Sequence, residues 1–389
     1  MVRYFSADKV YPVTSAPLER GVVGMEADGR VAGVWSEADF DAALGRVERH
    51  RGALVPGFVN THCHLELSHL RGKFPRHTGL PGFVQLVMSR RGAGNEEIGA
   101  AMLAADDEMH RNGIVAVGDI SNNAASRAVK LESRLHYHTF VEALGFNPAR
   151  AAEIFASVVA LERQFAPLSV SIVPHAPYSV SQKLFALLGQ HAMERHATLS
   201  IHNQETADEN LFFQKKQGEF VELYEKMGLD LAFFEPPGLN SLPATVGHLP
   251  ATQKQLLVHN TFTTEADYRS ATARHSRLYW CLCPAANRYI ENRLPDVAML
   301  ERLGARITLG TDSLASNTEL NILAEMKILQ EEAQIPLANL LCWATWNGAE
   351  FLGLSDWAGS LENGKKPGLN LIPVNERSEI TGTRVLRLA

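Results

Sequence analysis

Eight apolar, β-rich runs separated by longer helical stretches constrain the fold more than any other feature of this sequence. The runs are Leu54–Thr61, Ile114–Asp119, Leu135–Glu142, Leu168–Pro174, Thr198–His202, Gln255–His259, Leu278–Cys283 and Arg306–Thr311. Helical candidates between them include Glu96–Arg111, Ala149–Phe165, Gln182–Arg195, Glu265–Arg274 and Pro295–Leu303. Near-continuous apolar strands are buried on both faces, which points to a parallel sheet. Eight such βα units over about 250 residues fit a closed (β/α)8 TIM barrel of the α/β class. A doubly wound open sheet is the alternative. It would usually carry a glycine-rich phosphate loop after a strand, and the sequence has no G-x-G-x-x-G or G-x-x-x-x-G-K-[ST].

The flanks have a different pattern. Val22–Glu26 and Arg30–Trp35 surround Asp28-Gly29, a hairpin signal. Asp39–Val47 reads as a short helix, and 368–374 and 383–388 read as strands again. Strand-rich segments at both ends predict a small β-sandwich built from residues 1–53 and 353–389 beside a barrel over 54–352. The long segment between the fifth and sixth runs contains Phe233-Phe234-Glu235-Pro236-Pro237-Gly238. It is either a pocket wall or a surface excursion. After Ser313, helices are expected around Glu319–Glu332, Leu337–Trp343 and Asn347–Phe351.

The chain has 389 residues, 46% hydrophobic and 21% charged, a composition suited to a large core. Its formal net charge of −6 argues against a basic nucleic-acid footprint. No apolar run reaches membrane-spanning length and no signal-peptide core opens the sequence. The four cysteines form no C-x-x-C pair, so the default compartment is a reducing cytoplasm. The expected partner is a small-molecule substrate, not nucleic acid or membrane. A homodimer is allowed, although no interface signature marks one.

Polar residues stand at the C-terminal ends of these runs. The first ends in His62-Cys63-His64, the third in Glu142, the fifth in His202 and the sixth in His259. The fourth leads into His175 and the eighth into Asp312-Ser313. Strand alternation turns His62 and His64 to one face and Cys63 to the other, where it reads as a small buried residue. In a barrel all these ends open on one face, so residues far apart in sequence converge. The other ten histidines carry no such placement and read as ordinary surface or core residues. His62, His64, His202 and Asp312 form a nitrogen-rich donor set suited to one divalent metal ion. Zn2+ is the expected ion, with Fe2+ or Mn2+ as alternatives. Such an ion lowers the pKa of a bound water from about 15.7 towards 7. Asp312 is placed to take that water's proton. Glu205, three residues after His202, is the candidate proton shuttle, and His259 the candidate stabiliser of developing charge.

The motifs resemble the amidohydrolase superfamily, most closely its mononuclear aminohydrolases: cytosine, guanine and S-adenosylhomocysteine deaminases and the triazine chlorohydrolases. The matching stretches are Pro-Gly-Phe-Val-Asn-Thr-His-Cys-His at 56–64, Pro-His-Ala-Pro-Tyr-Ser-Val-Ser at 174–181, His-Asn-Gln-Glu at 202–205 and Val-His-Asn at 258–260. Cys-Pro-Ala-Ala-Asn at 283–287, Gly-Thr-Asp-Ser-Leu-Ala-Ser-Asn at 310–317 and Ala-Thr-Trp-Asn-Gly-Ala at 344–349 continue the match. The resemblance implies a barrel with a terminal β-sandwich. It implies metal ligands at His62, His64, His202 and Asp312, a proton shuttle at Glu205, a stabiliser at His259 and a substrate contact at His175. No bridging ligand is found around Val141–Gly145, so one metal is favoured.

The sequence departs from relatives at Gly364-Lys365-Lys366-Pro367-Gly368-Leu369, in the sandwich, and at 288–295; the latter stretch and Leu65-Glu66-Leu67-Ser68 border the pocket in that family. Glu66, Arg288 and Arg293 in these stretches are candidate readers of a polar substrate group, and the strand-end residues Glu142 and Ser313 are further candidate substrate contacts. The His-Leu-Glu-Leu-Ser run also resembles aminodeoxyfutalosine deaminases. The implied activity is hydrolytic deamination of an aminated purine or pyrimidine ring or nucleoside: metal-activated hydroxide attacks the amine-bearing carbon and ammonia leaves. Hydrolysis of a cyclic amide or displacement of a halide by the same machinery is the alternative. A non-enzymatic scaffold would have lost ligands, and here all are present.

Overall fold

The computed structural model describes residues 1–90 and 92–389. Eight parallel strands form the barrel: β1 (Phe58–Cys63), β2 (Ile114–Ser121), β3 (His136–Ala143), β4 (Ser169–Pro174), β5 (Leu199–Asn203), β6 (Gln255–His259), β7 (Leu278–Leu282) and β8 (Ile307–Leu309). They pair as two four-stranded halves, β1 to β4 and β5 to β8. At one seam the His202 amide donates to the His175 carbonyl at 2.9 Å. At the other, the Thr311 and Asp312 amides both reach the His62 carbonyl at 3.1 Å. Asn60 clasps that seam, donating to Thr311 Oγ1 at 2.8 Å and accepting the Thr311 amide at 3.1 Å. The architecture is a closed (β/α)8 barrel, and both seams close beside candidate site residues.

Helices between the strands cover the outside. Asn95–Arg111 begins with Glu96 and Glu97 and ends with His110 and Arg111, as the helix dipole favours. It buries Met102, Ala105 and Met109, one stripe at helical spacing. Each such apolar side chain taken out of water contributes about 1.5–3 kcal/mol if large. Gln182–Arg195 and Glu265–Arg274 match the expected bounds, the latter closed by a Thr264–Asp267 capping box. Among the described residues no helix is long and apolar enough to cross a membrane.

The first apolar run is two strands, not one. Ala53–Pro56 pairs antiparallel with Leu369–Ile372 in a small five-stranded sheet, and β1 starts only at Phe58. Gly57 makes the break. A Cβ there would lie 2.3 Å from Val115 Cγ1 and 2.4 Å from the Pro367 carbonyl, so only glycine lets the chain pass. A second small sheet of Arg3–Ser6, Val22–Met25, Val31–Trp35 and Val47–Arg49 faces the first. Phe5, Val10, Val23, Val31, Leu54 and Leu369 fill the space between them. The hairpin expected around Asp28-Gly29 is present. The short helix expected at Asp39–Val47 shrinks to a 3-10 turn at Ala42–Leu44 followed by a strand. We propose that the sandwich and barrel divide at Gly57.

Candidate metal centre

Three strand ends and the turn after β8 bring the histidines and aspartate together. A register shift between Asn60 and Cys63 breaks strict alternation in β1. Thr61 then bonds to the Leu309 carbonyl at 2.9 Å, while the next residue, His62, reaches the centre. Cys63 is fully buried in the apolar core cluster that also holds Val55 and Phe58. Gly310 lets the two ends of the barrel meet: a Cβ there would lie 2.8 Å from His62 Cβ and 2.9 Å from its carbonyl.

His64 Nε2 lies 3.2 Å from His62 Nε2 and 3.3 Å from His202 Nε2. Asp312 Oδ1 lies 3.5 Å from both His62 Nε2 and His64 Nε2. A tetrahedral ion with bonds of about 2.0–2.1 Å has ligand–ligand edges of about 3.3–3.4 Å, so these donors fit around one ion. Their protonation fits too. Burial first, and neighbouring imidazoles second, hold His62 well below the ordinary histidine range, and burial also depresses His64 and His202. Neutral rings present lone pairs. His202 Nδ1 donates to the His175 carbonyl at 2.8 Å, which fixes its Nε2 as the free acceptor. Burial pushes the Asp312 carboxyl up, but His64, His259 and the Ser316 hydroxyl outweigh it and keep the group below the usual carboxylate range. Ser316 Oγ donates to Asp312 Oδ2 at 2.5 Å, leaving Oδ1 turned to the histidines.

Backbone strain gathers at the same place. Gln204, His259, Asn260 and Asp312 have φ of 45°, 75°, 59° and 54°, the left-handed region that non-glycine residues avoid. Such residues cost about 1–3 kcal/mol each and persist where the surroundings over-determine them. The strain at Gln204 sets Glu205. Glu209, in the helix Ala207–Lys215, reaches back to the Gln204 amide at 2.9 Å and the Glu205 amide at 3.3 Å. The tight turn presents the Glu205 carboxyl 3.5 Å from His259 Nε2. Burial, with Asp312 and Glu291 adding to it, drives the Glu205 pKa well above the ordinary carboxylate value.

A cavity of about 170 Å3 opens above these groups, lined by His64, His175, His202, Glu205, His259, Asp312, Ser313, Asn122 and Glu142 on its polar side. His175 Nδ1 is hydrogen-bonded to Ser179 Oγ at 2.6 Å, and Asn122 donates to Glu142 Oε2 at 2.9 Å. Three expected contacts lie elsewhere. Arg288 is half exposed and pairs with Glu332 at 2.7 Å, and Arg293 stacks over Phe262 at 4.7 Å. Glu66 lines a neighbouring cavity, where its Oε2 accepts the Asn122 amide and the Asn123 side chain, both at 3.0 Å. It therefore shapes the loop that carries Asn122 and does not face the metal-centre cavity. Phe233 and Phe234 join Phe146 around a separate apolar cavity of about 280 Å3. Sequence reasoning missed Asn122, Ser316 and the helix Gly79–Arg90, whose Leu80, Phe83, Val84 and Val87 wall the metal-centre cavity. Their i, i+3, i+4, i+7 spacing was the available signal.

Residues 53–385 match the Amidohydrolase family. An adenosine deaminase of Helicobacter pylori is 27% identical over 336 residues, 83% of this chain and 80% of that protein. The crystal structure of the H. pylori aminofutalosine deaminase in complex with methylthio-coformycin superposes with a TM-score of 0.80 at 23% identity, covering 97% of this chain and 93% of that one. The crystal structure of an adenosine deaminase from Xanthomonas campestris with bound zinc gives a TM-score of 0.71 at 25% identity over 95% of this chain and 84% of that one.

Proposed function

Because this chain belongs to the amidohydrolase family of C–N bond hydrolases, we propose that it hydrolytically deaminates an aminated purine presented as a nucleoside, releasing ammonia. One observation carries the reading. Four donors converge at 3.2–3.5 Å spacings beside the buried Glu205 carboxyl on the same cavity. Likeness to an adenosine deaminase supports the purine, and the zinc in the Xanthomonas structure supports the metal.

His62, His64, His202 and Asp312 would hold one divalent ion, Zn2+ by preference for three nitrogens and one carboxylate. Bound there, the ion would make a water acidic enough to be a nucleophile near neutral pH. Asp312 takes the proton of the attacking water. Glu205, whose burial favours the protonated form, donates to the ring nitrogen next to the amine-bearing carbon as that carbon becomes tetrahedral. Asp312 hands the water's proton on to the amine, and the hydroxyl proton on the tetrahedral carbon returns to Glu205. The C–N bond breaks, the ring regains its conjugation as a carbonyl compound, and ammonia leaves. His259 faces Glu205 and stabilises the charge developing on oxygen. Ser316 and the His175 carbonyl hold Asp312 and His202 in place. His175, Glu142 and Ser313 line the cavity for the rest of the substrate.

The test is ammonia release by zinc-loaded protein over a panel of adenine, guanine, cytosine and their nucleosides. Turnover of an adenine nucleoside above the free bases supports the proposal. Turnover confined to pyrimidines, or none at all, overturns it.

A further inference from the structure

Glu325 is a buried carboxyl that the deamination chemistry does not use. It is 1% exposed, stands in the first turn of the helix Ile322–Ala333 and does not line the metal-centre cavity. Burying a carboxyl is costly unless it is hydrogen-bonded. Here Oε2 accepts the Ala285 amide and Oε1 accepts the Asn317 side chain, both at 2.8 Å. Ala285 follows β7 and Asn317 follows β8, so one carboxyl spans two neighbouring strand ends.

The β8 side leads to a metal ligand. Asn317 Nδ2 also donates to the carbonyl of Thr311, the residue before Asp312, at 2.9 Å. The orientation of that amide is set from its other end, where Oδ1 accepts the Thr318 amide at 2.7 Å. Asp312 has φ of 54°, and a strained residue keeps its conformation only while its surroundings over-determine it. Its own amide is held by the His62 carbonyl, and Asn317 holds the carbonyl of the preceding peptide.

The β7 side leads to His259. Cys283 offers no side-chain cap to the helix Pro284–Glu291, and Pro284 has no N–H. Glu325 supplies the missing acceptor from another helix, with the charge that a helix N-terminus favours. The turn it caps carries Asn287, whose Nδ2 donates to Thr261 Oγ1 at 2.5 Å and lies 3.5 Å from His259 Nδ1.

We propose that Glu325 is a positioning residue that keeps Asp312 and His259 in register with each other, through Asn317 on one side and the Asn287 turn on the other. The proposal rests on the metal-centre reading above. Glutamine is the informative substitution. It keeps the shape of the side chain, but its NH2 group faces one of the two N–H donors, so only one loop stays held. Burial pushes the Glu325 carboxyl up to about 8, so the comparison belongs at about pH 9, where both oxygens accept.

The experiment loads the full chain with Co2+ and records its visible absorption, which reads the geometry of the ligands. In parallel, kcat and KM for adenosine are measured on the zinc-loaded chain. Glu325→Gln should shift the cobalt bands and lower kcat about tenfold, the lower end of what partners behind metal ligands contribute, with KM changed by less than about twofold. Asn317→Ala breaks only the β8 arm, should shift the bands as well, and serves if Glu325→Gln folds poorly. Leu329→Ala, at a fully buried position one turn along the same helix, should lower stability yet leave the bands and kcat as in wild type. Wild-type bands and kcat in both Glu325→Gln and Asn317→Ala overturn the positioning role. So does Leu329→Ala if it reproduces both changes. A wild-type chain that takes up no cobalt and releases no ammonia from adenosine overturns the metal-centre reading and this inference with it.

Discussion

Glu205→Gln separates catalysis from stability at a single atom pair. Glutamine keeps the shape of the side chain, and the amide of residue 205 still meets Glu209. The variant should therefore fold and bind one metal ion. What it lacks is a transferable proton. The carboxyl is 4% exposed, and bulk water or buffer acid cannot replace it at the cavity floor. General acid–base catalysis is worth about 10²–10⁴-fold, or about 2.7–5.5 kcal/mol at 1.36 kcal/mol per decade. We expect kcat to fall by that factor while KM changes little. Stability should move the other way. Burial raises the carboxyl's folded-state pKa above its unfolded value, so the folded chain holds one more proton between the two. Stability is then lost as pH rises through that window. Glutamine removes the loss, so metal-free Glu205→Gln should gain on metal-free wild type in urea unfolding as pH rises. Steady-state ammonia assays and paired urea titrations on chelated protein at several pH values read both arms. Retained turnover would show that another group carries the proton. A variant no more stable than wild type at high pH would show that the burial argument is wrong.

Other expectations concern the groups behind the site. Lys130 and Asp119 form a fully buried ion pair at 2.6 Å, and Asp119 Oδ1 also accepts the Leu65 amide beside His64. Lys130→Ala leaves that carboxylate unpaired and should cost about 3–5 kcal/mol in urea unfolding, with Lys130→Met losing less because it refills the space. Ser316→Ala frees Asp312 Oδ2 and should weaken zinc affinity about 10–100-fold in a chelator competition assay. Burial pushes the Glu209 carboxyl from 4.5 up to about 7, so stability should fall by about 3 kcal/mol as pH rises from roughly 4.5 to 7. Glu209→Gln should flatten that slope, and an unchanged slope in pH-dependent denaturation would refute the assignment. Asn122→Ala removes a donor to Glu142 Oε2 and should raise KM more than it lowers kcat.

The barrel was legible because its strands are buried on both faces and so write themselves as uninterrupted apolar runs. All eight runs appear as barrel strands, although the first begins inside the small sheet. That join escaped the sequence because Gly57 interrupts an apolar stretch without changing its hydropathy. Its role comes from Val115 and Pro367, which are distant in sequence. The convergence of His62, His64, His202 and Asp312 followed from strand direction alone. Arg288 was misplaced because it lies on the helix Pro284–Glu291, whose exposed face turns it towards Glu332. Glu66 was misplaced for a related reason. It leaves the strand on a 3-10 turn, Leu65–Leu70, where two-residue alternation no longer holds. The Gly79–Arg90 helix was overlooked because Gly79, Pro81 and Gly82 cluster at its start, although its apolar spacing is regular. Ser316 and Asn122 had no local signal. Polar residues of those types occur throughout the chain, and only the folded geometry shows what they hold.

The central claim is that His62, His64, His202 and Asp312 hold one divalent ion on which deamination depends. Elemental analysis of the purified chain, repeated after chelation and after zinc add-back with adenosine deamination followed in parallel, tests it most directly. The account predicts one equivalent of metal per chain, loss of turnover on chelation, and recovery that saturates at one equivalent of added zinc. Full turnover by the metal-free protein, or recovery only at two equivalents, would contradict it.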